Sequence, residues 1–385
     1  MQLQQSLKAS KYRLVITGFC LIANVTSGCA PSAASSLDRR FWAGNKPGPN
    51  TSETTPQTNA SIDAVNNSNL MNAARLNSFR PGDTWLDTEG QVINAHGGGF
   101  YVENGVYYWF GELKGQDGLA RAGISLYSST DLYNWRNEGL VLAVDKTNPD
   151  SDIAEGAIIE RPKVIFNKKT KKYVMWFHLE LKGQGYGSAR AGVAVSDTVR
   201  GPYRFLTSFR PNNAMSRDQT LFVDDNGKAY QIAASEENQT MHINELTDDY
   251  LKPNGKFVRA FIGRSMEAPA VFKYKGRYHL IASGCTGWDP NSARQAVADN
   301  MMGPWTELDN PAQGPESDVT FRSQSTYVLE VTPGSGQFIY IGDRWNPDNL
   351  ADSRYIWLPL QYDNGRFTMR WQDEWQWGQA LPVTP

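Results

Sequence analysis

Four acidic side chains sit beside rigid or apolar neighbours along this chain. Glu112 closes the run Tyr108-Trp109-Phe110-Gly111-Glu112, and Glu160 lies in Ile158-Ile159-Glu160-Arg161-Pro162-Lys163. Asp218 lies in Ser216-Arg217-Asp218-Gln219-Thr220, and Glu267 in Met266-Glu267-Ala268-Pro269-Ala270. Carboxyls in such settings do acid–base chemistry, because burial keeps one protonated while a neighbour stays ionised. Cleavage of a glycosidic bond needs this equipment: an acid protonates the leaving oxygen, and usually a second group activates water or attacks. Any one of the four also fits a solvated charge or an ion-pair partner. The signal is the set, since Glu160, Asp218 and Glu267 each precede, by a comparable few residues, a turn that recurs down the chain.

Other side chains qualify singly. Tyr186, in Gly185-Tyr186-Gly187, and Trp288 and Trp345 are candidate platforms on which the apolar face of a sugar ring could stack; a lone Trp such as Trp345 is equally a packing residue. Asn238 is a candidate sugar ligand. His96, before Gly97-Gly98-Gly99, either bonds a sugar or braces the fold. His178 and His242 fall inside strand patterns and read as structural. The glycine run is not a phosphate loop, because no helical pattern follows it. No Cys/His cluster has zinc spacing and no Asp-rich loop has calcium spacing, so neither a metal nor a cofactor is expected.

The elements that must position these groups repeat. A turn followed by an aromatic and an alternating strand occurs at Glu103-Asn104-Gly105-Val106-Tyr107, Asn167–Tyr173, Asp225-Asn226-Gly227-Lys228-Ala229-Tyr230, Lys275-Gly276-Arg277-Tyr278 and Gly334-Ser335-Gly336-Gln337-Phe338. A second strand follows each, as in Ala122–Ser129, Ala191–Ser196, Met241–Leu246, Arg294–Ala298 and Tyr355–Leu360. Five copies of four-strand size predict an all-β, five-bladed β-propeller, with strand ends from every blade converging on the axis. A two-sheet sandwich is the alternative. Trp371, Trp375 and Trp377 are expected in the last blade or in ring closure.

Composition bounds the rest. The 385 residues carry 38 basic and 40 acidic side chains, a balance that gives no footprint for nucleic acid. Twelve Trp, 17 Tyr, 34 Gly and 20 Pro suit a strand-and-turn fold. Lys8, Lys11 and Arg13 precede an apolar run from Leu14 to Val25, then Thr26-Ser27-Gly28-Cys29. Residues 1–29 therefore read as a secretory signal, too short for a span. Its end resembles a bacterial lipobox, which would lipidate Cys29 and attach the protein to a membrane; the expected location is secreted or cell-envelope. Residues 30–79 are rich in Ser, Asn, Thr, Pro and Ala and read as a flexible linker, leaving 80–385 as the folded domain. Only Cys285 of the three cysteines lies in that body, so no disulfide is expected inside it.

Several short motifs taken in order resemble glycoside hydrolase family 43, five-bladed enzymes that mostly invert. They are Ala95-His96-Gly97-Gly98-Gly99, Glu160-Arg161-Pro162-Lys163, Ser216-Arg217-Asp218, Glu267-Ala268-Pro269-Ala270, Thr286-Gly287-Trp288-Asp289-Pro290, Ser323-Gln324-Ser325-Thr326 and Gly342-Asp343-Arg344-Trp345-Asn346-Pro347. The likeness runs from about Ile93 to Trp357 and is greatest to the exo-β-1,3-galactanase branch. It implies Glu267 as general acid, Asp218 as the modulator of that acid, and Glu160 and Glu112 as sugar-hydroxyl ligands, with Thr286 also in the substrate site. Most of the family carries an Asp near the start of blade one; here Asn94-Ala95-His96-Gly97 has no carboxylate. The galactanase branch carries a Gln instead, which is Gln324 here. A neutral amide is a poor base, so Gln324 would position water or act through its imidic acid tautomer, with Glu160 the rival base. Inversion predicts about 6.5–9.5 Å between the acid and the water-holding group. The resemblance thus implies release of terminal galactose from β-1,3-galactan, with a polysaccharide or oligosaccharide as partner. An α-L-arabinofuranosidase or β-xylosidase is the alternative within the family, and a non-catalytic carbohydrate-binding propeller the alternative outside it.

Overall fold

Tight turns set the strand pairing. Asn104 and Gly105 both have positive φ (52° and 77°), as do Lys275 and Gly276 (47° and 76°). That is the requirement of a two-residue type I′ hairpin, whose twist matches the strands it joins. The structure, a computed structural model, describes residues 75–115, 119 and 122–378. The signal at 1–29, Cys29 and nearly all of the linker lie outside the described residues.

The described chain folds into a five-bladed β-propeller. Blades 1 to 4 span residues 96–143, 158–209, 219–260 and 266–308, each a four-stranded antiparallel meander. Blade 5 spans residues 324–370 and gains a short parallel strand, Ala312–Gln313, at its outer edge. The first strand of each blade is innermost: His96–Glu103, Ile158–Asn167, Gln219–Val223, Met266–Tyr274 and Gln324–Glu330. Each touches the innermost strand of the next blade, and the fifth touches the first, so the ring is closed. Outer strands such as Pro253–Ala260 are largely exposed and polar.

Closure uses aromatic burial and both ends of the described chain. Phe79 and Trp375 exchange two backbone hydrogen bonds (2.8 and 3.1 Å), and their ring centroids lie 4.4 Å apart. Trp109, Trp135 and Trp357 fill the junction of blades 1 and 5. Each aromatic ring buried this way is worth on the order of 2–3 kcal/mol. The folded body therefore begins earlier than predicted, since Leu76 donates its N–H to Asn134 and Phe79 is buried. Trp375 takes the expected closing role. Cys285 is disulfide-bonded, and as the one cysteine of residues 80–385 it forms no bridge inside that body, as expected.

A one-residue bulge interrupts the innermost strand of blades 1, 2, 4 and 5, always near its start. A bulge re-aims side chains, since a slip of one residue exchanges the two faces of a strand. Below the bulges the pairs are His96 with Glu112, Glu160 with His178, Glu267 with Ser283 and Gln324 with Asp343. In blades 1, 2 and 4 the next residue, Gly97, Arg161 or Ala268, is left-handed (φ 56°, 53° and 53°). Such backbone costs roughly 1–2 kcal/mol for a residue with a Cβ and persists where the surroundings enforce it. Among the described residues no helix is long and apolar enough to cross a membrane.

Candidate active site

The bulged ends converge on a cavity of about 400 Å³ at the axis. Glu267, Asp218, Glu160, Glu112, Gln324, Asn238, Tyr186, Trp288 and Trp345 all line it, as do Lys114, Arg161, His178 and Arg217. Nine sequence-predicted residues thus meet in one place, contributed by all five blades.

Glu267 is buried at the start of blade 4. Its Oε1 accepts from Gln324 Nε2 (2.9 Å) and its Oε2 from Asn238 Nδ2 (3.1 Å). Burial, then the charge of Asp218, pushes its carboxyl up to about 8, against the opposing influence of Arg161, the Gln324 amide and Arg217. A carboxyl in that state holds its proton at neutral pH and can donate it. Asp218 stands just before the first strand of blade 3 and pairs with Arg161 Nη2 at 2.8 Å.

Gln324 is fully engaged. Its Oε1 accepts from Arg161 Nη2 (2.5 Å) and Trp345 Nε1 (2.8 Å), while Nε2 also donates to Ser283 Oγ (3.2 Å). An amide has two lone pairs and two protons to offer, so all four positions are filled. The spacing expected for inversion is not found between these groups, because Gln324 touches Glu267 directly. It touches it because both are aimed at the axis by bulges of adjacent blades.

The opposite wall is a chain of alternating charge. Glu180 Oε1 meets His178 Nε2 at 2.8 Å, and His178 Nδ1 meets Glu160 Oε2 at 3.5 Å. Lys114 Nζ lies 3.0 Å from both Glu160 Oε1 and Glu112 Oε2. Tyr186 donates its hydroxyl to Glu160 Oε1 at 3.0 Å. Burial opposes the charge on Glu160, but Lys114 and His178 prevail and hold it well below the usual carboxylate range. Burial likewise opposes the charge on His178, yet its two glutamates hold it protonated up to about 9. Glu112 is pushed up to about 7, chiefly by burial, with Lys114 countering. The strand bearing His96 passes so close to Glu112 that a Cβ on Gly97 would lie 1.9 Å from Glu112 Oε1. A Cβ on Gly98 would lie 2.6 Å from Trp109 Nε1 and one on Gly99 2.4 Å from Lys163 Cδ, also too close, which explains the glycine run.

Two predicted ligands are not in the cavity wall. His96 is fully buried, with Nδ1 on Asp343 Oδ1 (3.1 Å) and its ring stacked on Tyr355, so it braces ring closure rather than a sugar. Its pull on Asp343 is reinforced by Gly97 N–H (3.0 Å). Thr286 Oγ1 donates to Asp289 O (2.6 Å) and accepts from Asn291 (2.7 Å), holding the loop that presents Trp288. Conversely, His178 was expected to be structural and faces the cavity. His242 is bonded to Glu236 (2.8 Å), away from the site. Among the described residues no group of three or more His, Cys, Asp and Glu is arranged to hold a metal ion.

Residues 87–343, well over half of the chain, match the glycosyl hydrolases family 43. The chain belongs to this family. It is 49% identical to a solved family 43 β-1,3-galactosidase with galactodeoxynojirimycin, covering 78% of this chain and 100% of that one at a TM-score of 0.76. It is 38% identical to the exo-β-1,3-galactanase of Phanerochaete chrysosporium with galactose, covering 77% and 68% at a TM-score of 0.70. Among curated proteins it is 27% identical over 235 residues to an arabinoxylan arabinofuranohydrolase of Paenibacillus polymyxa, covering 52% of this chain. It spans only 35% of that relative's length. In this cavity the buried Glu267, its carboxyl pushed up to about 8, shares the wall with Glu160, whose charge Lys114 and His178 favour.

Lys114, Arg161, Arg217 and His178 escaped sequence reasoning. Lys114 lies in no motif, and Arg217 stands in Ser216-Arg217-Asp218 only as a neighbour of Asp218. Arg161 was quoted only as a neighbour of Glu160, although its left-handed backbone sends the guanidinium to Asp218 and Gln324. His178 carried no register signal, because counting from the blade 2 turn sets Leu179 opposite Glu160 and only the bulge brings His178 there.

Proposed function

We propose that this family 43 enzyme is an inverting, exo-acting β-1,3-galactosidase that removes terminal galactose from β-1,3-galactan. The observation that carries the reading is Glu267, a buried carboxyl held protonated to about 8 beside an ionisable Asp218 at the cavity floor. The two galactan-acting structures it resembles support the choice of sugar. In this reading Glu267 protonates the glycosidic oxygen as the bond breaks. Water attacks from the opposite face of the ring. Gln324 holds that water once the substrate parts it from Glu267, because only then does its Nε2 come free. Glu160 is a weak base, since Lys114, His178 and Tyr186 stabilise its charge. Tyr186, Trp288 and Trp345 supply apolar faces for the sugar, and Asn238 acts through Glu267.

The test is incubation with β-1,3-galactan, with released sugar identified by chromatography and its anomer by proton NMR during turnover. α-Galactose as first product is expected, and Glu267→Gln is expected to lower kcat at least 100-fold, as loss of a general acid does. Full activity in that variant rejects the mechanism. The arabinoxylan-acting relative keeps a second reading in view. Release of arabinose or xylose without galactose selects it.

Export belongs to the same proposal, supported by the basic and apolar run before Thr26-Ser27-Gly28-Cys29. Labelling with radioactive palmitate in a bacterial host, lost in Cys29→Ser, is the expected outcome; an unlabelled protein rejects lipid attachment.

A further inference from the structure

Lys114 is the cation at the centre of the acidic wall. It is 3% exposed, follows the second strand of blade 1, and its Nζ stands 3.0 Å from one oxygen of Glu112 and 3.0 Å from one oxygen of Glu160. The same ammonium lies 5.2 Å from the ring centroid of Trp345 and 5.7 Å from that of Trp288, which themselves pack edge to face. One charge therefore contacts two carboxylates from different blades and two indoles from two further loops. Without it only Arg161 and His178 would offset the repulsion between the two acids, and Glu112, already pushed up to about 7 chiefly by burial, would hold its proton more firmly.

The chain also fixes the lysine from behind. Asn94 Oδ1 accepts from Lys114 N–H (3.0 Å), and Asn94 Nδ2 donates to Lys114 O (2.9 Å). The amide thus extends the strand edge by one side chain and leaves Lys114 a single backbone setting. Asparagine is the residue type that can both donate and accept here; aspartate could only accept at neutral pH. This occurs in the stretch that lacks the acid expected near the start of blade one.

We propose that Lys114 is a positioning residue of the sugar site, holding Glu112 and Glu160 as a paired acceptor for sugar hydroxyls and pinning the Trp288–Trp345 wall to them. The assignment deepens the proposed galactosidase reading and rests on it for the identity of the sugar. Lys114 touches no reacting atom in this scheme. It acts through the two glutamates, whose carboxyls it holds at the cavity wall.

The charged and titratable groups that face the trio are Arg161, Lys163, His178 and Glu180 of blade 2, Tyr186 of its loop, Asp218 of blade 3 and Asp343 of blade 5. Lys163 bonds Gly97 O (3.0 Å) and Arg161 is committed to Asp218 and Gln324, so neither replaces Lys114.

Two variants test this in the full chain. Lys114→Met keeps the unbranched stem and removes the charge. Lys114→Met combined with Glu112→Gln restores the balance of charge and protects against a fold lost to repulsion. In Lys114→Met, kcat/KM on β-1,3-galactan is expected to fall roughly 10- to 100-fold, the scale of a charged hydrogen bond. The acid limb of its pH profile is expected to move to higher pH, because Glu160 loses the cation that favours its charge. In the double variant that limb is expected to return toward the wild-type position. A purely structural lysine would lower the melting temperature and leave the limb in place. A limb unmoved in Lys114→Met, or equally displaced in both variants, overturns the proposal. The two readings fail separately. If the wild type releases no galactose, the sugar assignment falls, and the lysine is judged by carbon-13 NMR of the glutamate carboxyls, assigned with Glu112→Gln and Glu160→Gln. Upward titration of Glu160 in Lys114→Met supports its role, and unchanged titration overturns it.

Discussion

Asp218→Asn isolates the means by which Glu267 is kept protonated. Burial is the largest cause of its raised pKa of about 8, and the Asp218 charge is the next. The substitution removes that charge and also frees Arg161, whose guanidinium holds Asp218 at 2.8 Å and already opposes the rise. Both changes favour ionised Glu267, so its pKa must fall. Removing a near like charge shifts a carboxyl by about one unit, or about 1.4 kcal/mol. The sign for activity follows: Glu267 acts while protonated, so activity is lost as pH rises through its pKa. A move from about 8 to about 7 lowers the protonated fraction at pH 7 only about twofold, but about ninefold at pH 9. The assay is initial rate of galactose release between pH 5 and 10, as kcat/KM, for wild type and Asp218→Asn. A basic limb displaced downward, with a deficit that widens above pH 8, is expected. A basic limb that stays in place, with activity reduced equally at every pH, would falsify the assignment of Asp218 as the modulator.

Two further perturbations read the site and the fold. Gly97→Ala places a Cβ 1.9 Å from Glu112 Oε1 on left-handed backbone (φ 56°), so it should displace Glu112. The strain costs about 1–2 kcal/mol in urea unfolding, and kcat/KM should drop about tenfold or more; an alanine variant of wild-type kcat/KM removes Glu112 from the substrate site. His279 is buried between Phe272 and Phe367, where burial, then the charge of Arg277, lowers its pKa from 6.5 to about 4. The folded state then binds fewer protons than the unfolded one below pH 6.5, so stability is whole above that pH and lost as pH falls toward 4, by roughly 3 kcal/mol in all. Urea unfolding at pH 7.5 and 4.5 should show a smaller drop for His279→Phe than for wild type, and equal drops would refute this.

The blade count was legible because each blade opens with a hairpin whose turn residues have a backbone reason to be there. Asn104-Gly105 and Lys275-Gly276 supply positive φ, and the alternating strand after each turn declares its buried face. The acids of blades 2 and 4 were legible from their setting too, since Arg161-Pro162 and Ala268-Pro269 follow Glu160 and Glu267 at the same offsets. The left-handed backbone at Arg161 and Ala268 was not, because neither residue type advertises it. Nor was the role of His96, whose neighbours Asp343 and Tyr355 arrive from the far end of the chain only when the ring closes.

The bulges account for most of what was missed. Counting from the turn where Asn167 faces Lys172, an ideal ladder sets Glu160 opposite Leu179; the bulge sets it opposite His178 instead. The same count in blade 1, from Glu103 facing Val106, sets His96 opposite Leu113, and the bulge replaces that with Glu112. In blade 4 it exchanges Gly284 for Ser283, and in blade 5 it brings Asp343 opposite Gln324. Blade 3 has no such shift between its first two strands, and there the acid that lines the cavity, Asp218, comes from the residue before the strand rather than from within it. A regular strand turns alternate side chains away from the axis, so a propeller of regular blades would send half of these groups into the blade interfaces. The left-handed residue after Glu160 and after Glu267, Arg161 and Ala268, is thus the local cost of aiming a carboxyl at the axial cavity. It follows that relieving the strain with Arg161→Gly should loosen Glu160 without adding useful stability, because the same substitution removes the guanidinium that joins Asp218 to Gln324.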